Sequence, residues 1–146
     1  MTTLGPGQLL FDFVRHWSRR SASGGGTLAE QGRLVLVTEA VNALVNRGEP
    51  ATVNSVASEL GIDQSGASRL IKSATDVGYL GSEKSPEDGR RRVISITPPG
   101  RDALMKAHQW HEEVFAQLTE GWSEKTRNAF HSAMADLISR SYTMNS

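Results

Sequence analysis

The sequence predicts a mainly α-helical fold that includes one small β-hairpin. Two short helical segments meet at a turn that contains Gly61, and an Asp-Gly pair further on separates two runs that alternate in polarity. The first pattern is typical of a helix-turn-helix and the second of a hairpin. Longer amphipathic segments flank both features. This order of elements predicts a winged helix-turn-helix with additional N-terminal and C-terminal helices.

The length of 146 residues fits a single domain, and the composition excludes several classes of protein. The chain has no cysteine, which excludes disulfide frameworks, thiolate catalysis and cysteine-based zinc sites. Apolar stretches are too short for a membrane span and no signal-peptide pattern opens the sequence, so we expect a cytoplasmic protein. The formal net charge is zero, but residues 69–92 carry six basic and four acidic side chains. This distribution argues against indiscriminate binding of polyanions and allows one directed basic feature.

Two helices are expected before the helix-turn-helix. Apolar residues at helical spacing predict the first over about Gln8–Arg20, and residues 21–26 (Ser-Ala-Ser-Gly-Gly-Gly) predict a loop. The triple glycine is not followed by Gly-Lys-Ser or Gly-Lys-Thr, so it does not indicate a phosphate-binding loop. The second helix is predicted over about Leu28–Asn46, because apolar residues recur there every three or four positions and Gly48 and Pro50 follow.

The helix-turn-helix is predicted between residues 52 and 78. Thr52 is placed to cap a short helix that ends at Gly61, and Asp63 to cap a second helix that runs from Gln64 to about Val77. Ile62 is expected to be a buried residue of the intervening turn. The side chains expected to face inward from the second helix are Ala67, Leu70, Ile71, Ala74 and Val77.

The hairpin and two further helices complete the chain. Residues 79–84 and 92–96 are the predicted strands, and three consecutive arginines lie at the tip between them. Thr97 is expected to cap the next helix, and Ser123 to begin the last one. The residues expected to line one side of these helices are Leu104, Ala107, His111, Val114 and Leu118 on the first, and Phe130, Met134, Leu137 and Ile138 on the second.

The exposed face of the second helix of the motif predicts contact with DNA. Its residues are polar, hydrogen-bonding or cationic. Because the first turns of such a helix meet base edges in the major groove, four residues are candidates for base contacts, and Lys72 is a candidate for a phosphate contact. The base-facing candidates are Gln64, Ser65, Ser68 and Arg69. Arg90, Arg91 and Arg92 at the hairpin tip are further candidates, although Arg91 and Arg92 are alternatively a solvated strand face.

These features together resemble the MarR family of bacterial transcriptional regulators. The matching segments are 52–61, 68–71, Gly78-Tyr79-Leu80, Asp88-Gly89-Arg90 and Ile94-Ser95-Ile96-Thr97-Pro98-Pro99-Gly100. The resemblance covers essentially the whole chain and implies one domain, with a DNA-binding lobe at 28–100 and dimerisation helices at 1–22 and 101–146. In this family the wing arginine enters the minor groove, which implies that role for Arg90. Asp88 is then expected to hold the wing tip by pairing with a nearby arginine.

The resemblance further implies a homodimeric repressor that binds a pseudo-palindromic operator. Apolar residues beyond the needs of one subunit's core support a two-fold pair, and these are Leu9, Leu10, Trp17, Phe130, Met134, Leu137 and Ile138. In the family, small aromatic or phenolic effectors bind between the dimer helices and the DNA-binding lobe. The corresponding candidates here are Phe13, His16, Trp17, His108 and Trp110. Alternatively, Trp17 belongs to the dimer core and His16 is its surface neighbour.

Other functions have less support in the sequence. His108, His111 and Glu112 are the best metal candidates, but a metal-responsive regulator needs more ligands and the chain has no cysteine to supply them. The catalytic motifs of hydrolases, nucleotide-binding enzymes and metalloproteases are absent, so we expect neither an enzyme nor a cofactor. A winged helix that binds another protein instead of DNA is the other alternative, but such a module does not need a basic wing tip.

Overall fold

The computed structural model describes residues 3–23, 27–85, 87 and 89–144. That part of the chain forms six helices and one two-stranded antiparallel sheet, which confirms the predicted fold class. The helices are α1 (Pro6–Ser23), α2 (Thr27–Asn46), α3 (Val53–Leu60), α4 (Gln64–Asp76), α5 (Pro98–Leu118) and α6 (Glu124–Met144). The strands are β1 (Leu80–Lys84) and β2 (Arg92–Ile96). The chain divides into two compact units between Ala107 and His108.

The core of the first unit is built around α2. Val37 and Val41 of this helix are fully buried, and so are Ala67 and Ala74 of α4. The small side chains of these two alanines allow α4 to pack closely on its neighbours. The other buried members of the same cluster are Leu34, Ala40, Leu44, Ala51, Val56, Ala57, Leu80 and Ile94. The two helices of the motif and the hairpin therefore share one hydrophobic core.

The predicted caps of α3 and α4 are formed to different extents. Thr52 Oγ1 accepts a hydrogen bond from the Ser55 amide at 3.1 Å, and Ser55 Oγ accepts one from the Thr52 amide at 2.8 Å. This reciprocal pair satisfies two backbone donors at the start of α3. Gly61, with φ of 68°, ends α3 in the left-handed conformation that favours glycine. Asp63 occupies the N-cap position of α4, but its carboxylate accepts no capping hydrogen bond.

The hairpin is attached to the helix-turn-helix through its backbone as well as through the core. Its register pairs Leu80 with Ile96 at the base and Lys84 with Arg92 at the outer end. The Ile94 amide also donates a hydrogen bond to the Ala51 carbonyl at 2.7 Å, just before α3 begins. The position of the wing is therefore fixed relative to the first helix of the motif.

Three local predictions were wrong. Residues 21–23 belong to α1 and not to a loop, because Ser-Ala-Ser is only weakly unfavourable in a helix; the triple glycine 24–26 lies outside the described residues. Val77 is 53% exposed instead of inward-facing, since the helix already ends at Asp76 and Val77 is its C-cap. Ile62 is 39% exposed, because it packs along the outer surface near Gly66 and does not enter the core.

The second unit consists of the C-terminal half of α5 together with α6. The rings of Phe115 and Phe130 stack with centroids 6.2 Å apart, and Trp122 meets Phe130 edge-on at 5.6 Å. His111 and Leu118 belong to the predicted stripe of α5 but are exposed, since two helices can cover only one side of each other. No residue of α6 is buried. The described helices include none that is long and apolar enough to cross a membrane.

Candidate nucleic-acid interface

All five residues predicted on the DNA-facing side of α4 are exposed. They are Gln64, Ser65, Ser68, Arg69 and Lys72. The opposite side of the helix carries Ala67 and Ala74, which are fully buried, and Leu70 and Ile71, which pack partly buried against the core. Because residues three and four apart share one side of a helix, the five form a continuous polar strip over the first turns of α4. We call this surface the α4 strip.

An ion pair ties α3 of the helix-turn-helix to the end of α2. The Arg47 guanidinium donates to both carboxylate oxygens of Glu59, with Nη1···Oε1 at 3.1 Å and Nη2···Oε2 at 2.6 Å. The two side chains are only 28% and 21% exposed, so water screens this pair less than a fully exposed one. The bidentate geometry holds α3 at the end of α2. Sequence patterns did not reveal this pair, because Arg47 lies in the turn after α2 and Glu59 lies on α3.

A carboxylate, that of Asp63, lies immediately before the first turn of α4. A Cβ on Gly66 would lie 2.7 Å from Asp63 Oδ1, so the carboxylate occupies the space that a side chain at Gly66 would fill. Asp63 is exposed. The start of the α4 strip therefore presents a hydrogen-bond acceptor and a negative charge beside the donors of Gln64 and Ser65.

The wing arginines differ in their surroundings. Arg92 reaches across the hairpin and donates from Nε to Ser82 Oγ at 2.7 Å and from Nη2 to the Ser82 carbonyl at 3.4 Å. Ser82 lies two residues from the strand partner of Arg92 and on the same side of the sheet. Arg90 and Arg91 are exposed at the turn, and Asp88 lies outside the described residues. Arg92 is thus fastened along the strand, whereas the other two arginines lie at the tip.

The sequence of residues 36–91 matches the MarR family. This segment begins within α2 and ends in the turn of the wing, so it contains the whole of α3 and α4. The match covers 56 of the 146 residues and assigns this segment to the MarR family. No curated protein sequence matches the chain.

Solved structures of MarR proteins have the same fold over nearly the whole length of this chain. A crystal structure of MarR superposes with a TM-score of 0.69 at 20% sequence identity and covers 99% of this chain and 97% of that one. A MarR family protein from Bacillus stearothermophilus superposes with a TM-score of 0.68 at 14% sequence identity, and the match covers 93% of this chain and 92% of that one. BpsR from Bordetella bronchiseptica superposes with a TM-score of 0.59 at 18% sequence identity, and the match covers 94% of this chain and 95% of that one. The DNA binding of BpsR is regulated by 6-hydroxynicotinic acid. At these identities, the likeness establishes the MarR fold alone.

The predicted effector residues form two groups in the MarR fold. On α1, the Trp17 ring lies 6.2 Å from that of Phe13 and 5.8 Å from that of His16. His108 and Trp110 lie on α5 in the second unit, and both are exposed. A surface groove of about 480 Å³ also follows α1, but its lining residues are Leu4, Gly7, Gln8, Phe11, Asp12 and Arg15. The predicted residues are therefore not those that line this groove.

The metal candidates are close to one another but do not form a cluster with other ligands. The His108 and His111 rings are 6.2 Å apart. Across the described ranges, no group of three or more His, Asp or Glu side chains is placed to hold a metal ion. The geometry therefore offers no support for the metal-responsive alternative.

Proposed function

We propose that the protein is a sequence-specific DNA-binding transcriptional regulator that acts in the cytoplasm as a homodimeric repressor. The observation that carries the proposal is the α4 strip. It is polar and cationic along its exposed side, while the other side of the same helix is anchored in the core. In the described part of the chain, no hydrogen bond or ion pair holds its five side chains, so they are available to a ligand.

The chemistry of the α4 strip suits the major groove. A glutamine such as Gln64 pairs with the N6 and N7 edge of adenine, and an arginine such as Arg69 pairs with the O6 and N7 edge of guanine. Ser65 and Ser68 have hydroxyls that bond to either kind of base edge. Lys72, one turn further on, is assigned to the phosphate backbone. These residue types support base reading near the start of α4 and backbone contact beyond it.

The wing supplies the second contact in this proposal. Arg90 is assigned to the minor groove, where a narrow A·T-rich segment attracts an inserted guanidinium. Arg91 and Arg92 are assigned to the flanking phosphates, and Asp88 to holding the wing tip. Arg92 keeps its hydrogen bonds to Ser82 in the unbound chain, so DNA must either replace these bonds or use the remaining donors of the guanidinium.

Uncovered apolar residues on α1 and α6 support the homodimer. Leu9 and Phe13 are each 53% exposed, and Leu137 and Ile138 are 46% and 53% exposed. Exposed apolar residues in such numbers are typical of an interface, and a two-fold pair would cover them in both subunits at once. We therefore assign residues 28–100 to the DNA-binding lobe and residues 1–22 and 101–146 to dimerisation.

We also propose that the protein responds to a small aromatic effector. Its candidate contacts are Phe13, His16 and Trp17 in the first unit, and His108 and Trp110 in the second. The regulation of BpsR by 6-hydroxynicotinic acid is a precedent in the same fold. Such a ligand lowers operator affinity only if it binds one arrangement of the dimer more tightly than the arrangement that fits DNA. If no aromatic acid or phenol changes the operator affinity, this part of the proposal is refuted.

The test is selection of bound fragments from the source genome, followed by fluorescence-polarisation titration of the selected duplex and a scrambled one over a range of salt concentrations. We expect two subunits per site and a clear preference for the selected duplex. Arg69→Ala should weaken binding of the selected duplex by about 1–3 kcal/mol. Lys125→Ala, which removes a positive charge from exposed α6, should leave it unchanged. If selection recovers no shared sequence, the protein-binding alternative becomes the better explanation.

A further inference from the structure

A partly buried backbone junction joins the end of α4 to the start of α5. The amide of Tyr79 donates to the Ala74 carbonyl at 2.9 Å, and Gly78 takes the positive φ of 90° that this turn requires. Gly78 and Tyr79 are therefore held on the last turn of α4. Any group that binds their carbonyls is positioned directly relative to the α4 strip.

The Thr97 hydroxyl connects this turn to α5. Its oxygen accepts a hydrogen bond from the Gly100 amide at 3.1 Å, which caps α5, and its proton is donated to the Gly78 carbonyl. The Thr97 amide donates to the Tyr79 carbonyl at 3.1 Å. Thr97 thus bonds to the first turn of α5 and to two of the three residues between α4 and β1.

Close packing completes the junction. A Cβ on Gly100 would lie 2.2 Å from the Tyr79 carbonyl oxygen and 3.0 Å from Ile96 Cγ2. Gly100 is buried, and Thr97 is partly buried. Only a glycine allows the first turn of α5 to come this close to the chain behind α4. The hydrogen bonds and the close approach together hold the first turn of α5 against the chain that follows α4.

We propose that Thr97 and Gly100 are positioning residues that set the angle between α5 and the α4 strip, and thereby the spacing of the two α4 strips in the dimer. This inference rests on the proposed function. Within the first unit, α5 runs from Pro98 to Ala107, a length of about 15 Å. A tilt of about 5° at its start displaces Ala107 by about 1.3 Å, whereas contacts that read bases tolerate errors of about 0.5 Å.

The test compares Thr97→Val, which loses both hydrogen bonds at nearly constant volume, with Thr97→Ser, which keeps the hydroxyl. Thr75→Val is the matched control, because among the described residues the Thr75 hydroxyl bonds only to the Ile71 carbonyl within α4. Each variant is titrated with the selected operator, a scrambled duplex, and operators whose half-sites are moved by one base pair in either direction. Urea unfolding of each variant shows the conditions in which it is folded.

We expect Thr97→Val to lose about tenfold or more in operator affinity and to lose the preference for the natural spacing, with scrambled-duplex affinity unchanged. Thr97→Ser and Thr75→Val should behave as the wild type. If Thr97→Val is folded and keeps the wild-type spacing preference, the inference is overturned even if its affinity falls. If Thr97→Val does not fold, Gly100→Ala is measured in the same way and decides by the same criterion. Wild-type protein that binds all duplexes alike would instead refute the proposed function.

Discussion

Replacing Gly100 with alanine tests how rigid the close approach between α5 and the chain behind α4 is. The new Cβ would stand 2.2 Å from the Tyr79 carbonyl oxygen, whereas ordinary contacts lie at 3.4–4 Å. The obstructing atom belongs to the backbone, so no side-chain rotation relieves the clash. We expect a loss of stability, although alanine is normally favoured over glycine in a helix.

The magnitude follows from two opposing terms. Overpacking a tightly packed site costs about 1–3 kcal/mol, and more where the backbone has to move. Alanine recovers up to about 1 kcal/mol of helix propensity, and less than that in the first turn. The expected net effect is therefore a decrease of about 1–2 kcal/mol in the free energy of unfolding. For a chain of this size, that corresponds to about 2–4 °C in Tm for each kcal/mol.

Gly32→Ala provides the matched control. Gly32 lies within α2, and a Cβ there meets nothing within 4 Å. Only the propensity gain applies, so we expect this variant to be more stable than the wild type by about 0.5–1 kcal/mol. Urea unfolding at one fixed protein concentration measures both, since the stability of a dimer depends on concentration. If Gly100→Ala is as stable as the wild type, or if the free energy of unfolding changes equally in the two variants, the steric reasoning is refuted.

Four further predictions concern DNA binding and assembly. Arg90→Ala should lower the slope of log affinity against log salt by about one, and an unchanged slope would place Arg90 outside the interface. Ser82→Ala should keep the wild-type salt slope while operator affinity falls about threefold, because Arg92 loses an acceptor that orients it. If the affinity of Ser82→Ala equals that of the wild type, this hydrogen bond does not contribute to DNA binding. Asp63→Asn should raise the affinity for a scrambled duplex about twofold by removing a negative charge near the phosphates, and no change would mean that the carboxylate is remote from DNA. Leu137→Asp should shift the mass measured by light scattering from dimer to monomer, whereas an unchanged dimer would argue against an α6 interface.

The sequence was sufficient wherever the determining contacts are local. The caps at Thr52 and Thr97 and the break at Gly61 were predicted at the correct residues, because each depends on groups within four residues of one another. The α4 strip was predictable for the same reason, since the period of a helix places its five residues on one side. The errors at Val77 and Ile62 arose at element ends, where one residue more or less of helix decides whether a side chain is covered.

Local pattern alone therefore determined the order of elements, the polar face of α4 and the basic tip of the wing. Only the tertiary structure decided which groups meet across elements. The Arg47–Glu59 ion pair and the bond from Arg92 to Ser82 join residues that are 12 and 10 positions apart. The close contact of Gly100 with Tyr79 likewise depends on how α5 returns to the end of α4. Such contacts depend on the angles at which helices and strands pack, and these angles come from the fit of the whole core and not from the period of any one segment.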